Sequence, residues 1–150
     1  MGAKVKFQIE EIIVDKSMSD DLITAGWNFD WNDSQDGDTH KLAAYYKNEL
    51  QGLVEFERDS RSLFNFIYLV ESAPHNIGKT KMYEGVHGAL FASVAKDSLD
   101  AGFEGFVVFE AKTVLINHYI TKYGAKFIHG RRLVFDTEAS IKLIHDYLGE

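Results

Sequence analysis

Along the first fifteen residues apolar and polar positions alternate. Val5, Phe7 and Ile9 stand against Lys6, Gln8 and Glu10. A period of two with one wet face predicts a strand within 4–15. Residues 16–26 carry a short helical pattern, with Ser17 or Ser19 as its cap. Residues 41–46 and 50–57 read as two strands joined by a hairpin turn at Asn48-Glu49. A polar turn follows at 58–62. Leu63 to Val70 is almost continuously apolar, which predicts a strand buried on both faces. The first half is therefore expected to be an antiparallel meander preceded by one strand and a helical excursion.

The second half changes period. Val86, Leu90 and Val94 form one row, and Phe91, Ala95 and Leu99 the next, which is one face of a helix over 88–101. Gly102 stands where a helix C-cap belongs. Residues 106–109 read as a short buried strand. Strand, helix, strand at this spacing implies a parallel pair with a right-handed crossover. A second helix is expected over 112–123, ending at Gly124. Residues 126–135 give a strand pair or one long strand. Asp136 then caps a final helix through Leu148, with Ala139, Leu143 and Tyr147 facing inward. Pro74 follows the central strand, where it ends the strand without breaking a ladder. All 150 residues read as one domain.

Composition narrows the chemistry. The net charge of −7 argues against nucleic acid as a partner. The absence of cysteine rules out disulfides, thiolate metal sites and a cysteine nucleophile, and fits a cytoplasmic location. No signal-peptide pattern is seen at the N-terminus. No run approaches the roughly 20 apolar residues of a membrane span. His75, His87 and His118 fit no metal spacing, so no metal is expected. Ile77-Gly78-Lys79-Thr80 resembles the end of a P-loop, but the earlier glycine falls on Ala73, which excludes that motif. Residues 28–38 hold Asp30, Asp33, Asp36 and Asp38 without a basic residue. They read either as a solvated loop or as an acidic lip for a cationic substrate. Gly85 and Gly88, between an apolar run and a helix, could aim free N–H groups at an anion.

The order of elements resembles the GNAT superfamily of acyl-CoA-dependent N-acetyltransferases over nearly the whole chain. Gly85-Val86-His87-Gly88-Ala89-Leu90 resembles the family's pyrophosphate loop. Gly102-Phe103-Glu104-Gly105-Phe106-Val107-Val108 resembles its approach to the fifth strand. His118-Tyr119 followed by Tyr123-Gly124-Ala125 resembles its tyrosine and glycine signature. The sequence departs from the family at Met82, where an Arg or Gln is usual, and at His87, where a second glycine is usual. The connection from Pro74 to Gly85 is also long, and Tyr119 lies one place early relative to Gly124.

The resemblance implies an α/β (α+β) fold: a mixed, mostly antiparallel sheet whose fourth and fifth strands are parallel and splay apart, with flanking helices. It implies acetyl-CoA as acyl donor and a primary amine as acceptor, attacking directly in a ternary complex. Pantetheine would run along Val70, Glu71 and Ser72. The diphosphate would lie on main-chain N–H groups of Tyr83, Glu84, Gly85, Val86, His87, Gly88 and Ala89, aided by Lys81 or Lys79. Glu71 is the candidate base and Tyr119 the candidate acid, against purely structural roles for both. Asp30, Trp31, His75 and Asn76 are the candidate acceptor contacts, with Trp27 and Phe29 beside them. A GNAT-like domain that binds CoA without turnover is the other class. Neither membrane nor nucleic acid is an expected partner, and the oligomeric state is open between monomer and homodimer.

Overall fold

A computed structural model describes residues 2–150. Strands are β1 (Ala3–Lys4), β2 (Gln8–Ile12), β3 (Thr39–Tyr46), β4 (Glu49–Asp59), β5 (Phe64–Ser72), β6 (Tyr83–Glu84), β7 (Val107–Glu110), β8 (Lys126–His129) and β9 (Arg132–Phe135). Helices are α1 (Lys16–Thr24), α2 (Val86–Asp100), α3 (Ile116–Tyr123) and α4 (Thr137–Leu143), the last running into a π-helical turn at Ile144–Leu148. The main sheet has seven strands in the order β2-β3-β4-β5-β7-β9-β8. All its pairs are antiparallel except β5 with β7. The expected mixed, mostly antiparallel sheet is therefore present.

Two faces of this sheet bury different clusters. On the first, α2 packs with Phe91, Leu90 and Val94 against Val54, Phe56, Ile67 and Phe109. On the second, Trp27 and Trp31 from the segment after α1 pack against Ala43, Leu53 and Ala73. On the first face α2 supplies an apolar stripe against an alternating strand face, so that layer follows from period, whereas the second layer comes from an irregular segment.

Local detail departs from the sequence pattern in five places. The first strand is broken in two, because Ala3–Lys4 leave the sheet to pair with Tyr83–Glu84. Helix α1 is capped by Asp15, which accepts the Met18 N–H at 2.8 Å; Ser17 and Ser19 lie inside the helix. The hairpin turn is Lys47-Asn48, both at positive φ, one residue before the expected Asn48-Glu49. Two consecutive left-handed residues match the twist of a two-residue hairpin. Helix α2 begins at Val86 rather than Gly88. Over Phe64–Tyr68 strand β5 is buried on one face only: Asn65 and Ile67 face the helices, while Phe64, Phe66 and Tyr68 are half-exposed on the other side. Residues 126–135 form the strand pair, with β9 inserted between β7 and β8.

Candidate functional site

The sheet opens at its centre. Parallel pairing of β5 with β7 covers only Asn65–Ile67 against Val107–Phe109. Beyond it β5 continues through Ser72 without β7 as a partner, while β7 ends at Glu110. At the same point β5 bulges: Glu55 pairs with Leu69 and Phe56 with Ile67, so Tyr68 is the extra residue. A bulge bends its strand and re-aims side chains. Here it puts Tyr68 and Leu69 on the same face of the sheet and carries the end of β5 away from β7.

Helix α2 starts beside this opening. Gly85, at φ +83°, is its cap residue, and no side chain caps the helix. The first internal bond runs from Ala89 N–H to the Gly85 carbonyl. The N–H groups of Val86, His87 and Gly88 thus stand at the positive end of the helix dipole. Ala89 and Tyr83 use their own N–H groups internally, the latter on Asn76 Oδ1 at 3.0 Å. That removes Tyr83 and Ala89 from the expected cradle and leaves Val86, His87 and Gly88 as its part on the helix. A cleft of about 430 Å³ next to Gly85 is lined by Lys4, Lys81, Lys122, Glu84, Asp146 and Tyr147. Three lysines against two carboxylates make it locally basic on an acidic chain. Free N–H groups, lysines and an unpaired strand edge suit an anion carrying an extended amide-bearing arm.

His87 fills the position where a small residue was expected. Its Nδ1 lies 2.8 Å from Ser72 Oγ at the end of β5. Burial, with Lys122 and His118 nearby, pushes the imidazole down to about 4. Neutral His87 therefore ties the first turn of α2 to β5. The edge residue Val70 packs on the α2 face.

Glu71 is buried, and both its oxygens are occupied. Asn28 N–H donates at 2.6 Å, Phe29 N–H at 3.3 Å and the Trp31 indole N–H at 2.9 Å. Glu71 faces the 28–31 segment, whereas Tyr119 packs on the other face against Phe91 and Phe109, with ring centroids 5.9 and 5.4 Å away. Burial raises the Tyr119 phenol above its ordinary value.

Of the four expected acceptor contacts, Trp31 and Asn76 are buried, His75 is half-buried and Asp30 is exposed. Trp31 has no exposed surface and Trp27 is buried, so neither ring meets a substrate; only Phe29 is substantially exposed. Asp30 accepts from Ser19 Oγ at 2.8 Å and from Asn32 N–H at 3.0 Å, which holds it below the usual carboxylate range. Asn76 is buried and donates to Gln51 Oε1 at 2.9 Å, which also lies 2.7 Å from His75 Nε2. Together they fasten the 74–83 connection to β4. Asp38 is paired with His40 at 2.7 Å. Sequence reasoning missed Tyr68, whose hydroxyl donates to Glu57 at 2.5 Å on the second face. Only the pairing of β4 with β5 reveals that a bulge brings these two together.

No family model matches this chain, and no curated protein sequence does. Solved structures do. The Escherichia coli protein YhhK bound to coenzyme A superposes with a TM-score of 0.61 at 12% identity, over 86% of this chain and 98% of that one. A Bacillus subtilis acetyltransferase in complex with CoA gives 0.57 at 16% identity, over 87% and 99%. A GNAT-family acetyltransferase from Staphylococcus aureus gives 0.59 at 8% identity, over 87% and 99%. The fold is that of the GNAT acetyltransferases. Among the described residues no helix is long and apolar enough to cross a membrane.

Proposed function

We propose that this chain is an acyl-CoA-dependent N-acetyltransferase, transferring the acetyl group of acetyl-CoA to a primary amine of a cationic small molecule or a protein by direct attack. One observation carries the reading: β5 and β7 part immediately beside the uncapped, lysine-flanked start of α2. A pantetheine arm would run along the edge of β5 that β7 leaves free, at Val70, Glu71 and Ser72. The three N–H groups after Gly85, with Lys81 and Lys122, would hold the diphosphate. Two of the similar structures contain CoA, which supports the donor class. Tyr119, close to Phe109 at the end of the paired region, is the proposed proton donor to the departing thiolate.

A non-catalytic CoA-binding domain is the second reading, favoured by the full engagement of Glu71. Calorimetry with acetyl-CoA, followed by product detection across an amine panel, separates the two. Binding with acetylated product supports the enzyme. Binding without product supports the second reading, and no binding removes both.

A further inference from the structure

Glu71 is occupied, so the proton released by an attacking amine needs another acceptor. The second face of the sheet supplies one at the opening itself. Glu55, Glu57 and Asp59 occupy alternate positions on that face of β4. Glu55 is within 3.7 Å of Lys41, yet its Oε2 is buried without a hydrogen bond. Asp59 is used by the turn, accepting Arg61 and Ser62 N–H. Among the described residues no Lys or Arg pairs with Glu57. Its one side-chain donor is Tyr68, the bulged residue at the rung where β5 and β7 separate. Tyr68 is half-exposed and packs edge-on to Phe66 at 5.1 Å, so an aromatic floor adjoins the carboxylate. Glu57 and the surrounding carboxylates raise the Tyr68 phenol to about 12, so it stays protonated and donates.

The geometry points to Tyr68 and Glu57 as a two-residue proton relay on the acceptor side, serving a cationic amine. This assignment rests on the N-acetyltransferase reading and names the group that reading lacks. The neutral amine nitrogen attacks the thioester carbonyl carbon. The C–N bond forms and the C–S bond breaks. The nitrogen's proton passes to Tyr68 Oη while the Tyr68 proton passes to Glu57. The thiolate takes a proton from Tyr119, and solvent restores both ends. Tyr68 touches the amine. Glu57 acts through Tyr68 and also attracts a cation to a face where its own charge is unpaired.

The test uses the whole chain with acetyl-CoA and two acceptors, putrescine and butylamine. Tyr68→Phe and Glu57→Gln should each lower kcat by about a hundredfold or more, with KM for acetyl-CoA and melting temperature nearly unchanged. The double variant should lose little more than either single one, because the two act as a unit. Glu57→Gln should also shrink the preference for putrescine over butylamine. Full rates in both variants, additive losses, or no acetylation of either amine by protein that binds acetyl-CoA would overturn the relay. Failure to bind acetyl-CoA would instead remove the N-acetyltransferase reading beneath it.

Discussion

The ring of Tyr147, near the end of the chain, lies directly on the Cα of Gly88 in the first turn of α2. A Cβ at Gly88 would overlap that ring, so this glycine is required by packing between two helical segments. The sequence suggested instead that Gly88 serves to aim a free N–H group at an anion. Gly88→Ala should therefore cost about 1–3 kcal/mol as an overpacked contact. Thermal melting should show a loss of about 2–4 °C per kcal/mol. Adding Tyr147→Ala should return part of that loss relative to Tyr147→Ala alone, as a double-mutant cycle would measure. Gly88→Asp should damage the fold as well as ligand binding.

Glu71 makes a different prediction from the one its sequence position suggests. Three N–H donors converge on it from residues 28–31. Glu71→Gln keeps the shape but turns an amide NH₂ toward at least one of those donors. Losing a charge-assisted hydrogen bond costs about 1.5–3 kcal/mol. The variant should melt earlier, and proteolysis should open the 25–38 segment first. A catalytic loss with unchanged stability would return the base role to Glu71.

His87 gives stability a pH dependence of known sign. Its folded-state value, about 4, lies below the ordinary histidine value. The unfolded chain therefore binds a proton that the folded chain refuses. Its contribution is complete above about pH 6.5 and declines as pH falls toward 4, by on the order of 3 kcal/mol in all. Urea unfolding of His87→Asn should show a flatter stability curve between pH 7 and 4 than wild type. His40, held by Glu11 and Asp38 and raised, works in the opposite direction and stays in both proteins.

Much of this architecture was legible in the chain. Alternation and helical rows located the meander and α2, and Gly102 ended α2 as expected, with the Phe103 N–H returning to the Ser98 carbonyl. The spacing of strand, helix and strand supplied the parallel pair, and the GNAT resemblance supplied its splay. Residue roles were less legible, because they depend on which face a side chain takes. Trp27 and Trp31 look like surface aromatics beside aspartates. They are the core of the second layer, because β4 and β3 present Leu53 and Ala43 to them. The bulge at Tyr68 carries no local composition signal, yet it aligns Tyr68 with Glu57 and Leu69 with the tryptophan cluster.

The basic cleft should be sensitive to charge and salt together. Lys81→Glu and Lys122→Glu each reverse one of its three lysines beside Gly85. Acetyl-CoA should bind each variant more weakly by calorimetry. The difference from wild type should narrow as salt is raised from low to physiological strength, because exposed charges are screened over about 8–10 Å. A salt-independent loss would place the diphosphate away from these lysines.

Acyl transfer itself is the central claim. The most direct measurement follows acetyl-CoA and putrescine with the purified chain by mass spectrometry, counting N-acetylated putrescine against CoA released. Equal amounts of the two are expected, with formation dependent on the protein. CoA release without acetylated amine, or neither product from protein that binds acetyl-CoA, would contradict it.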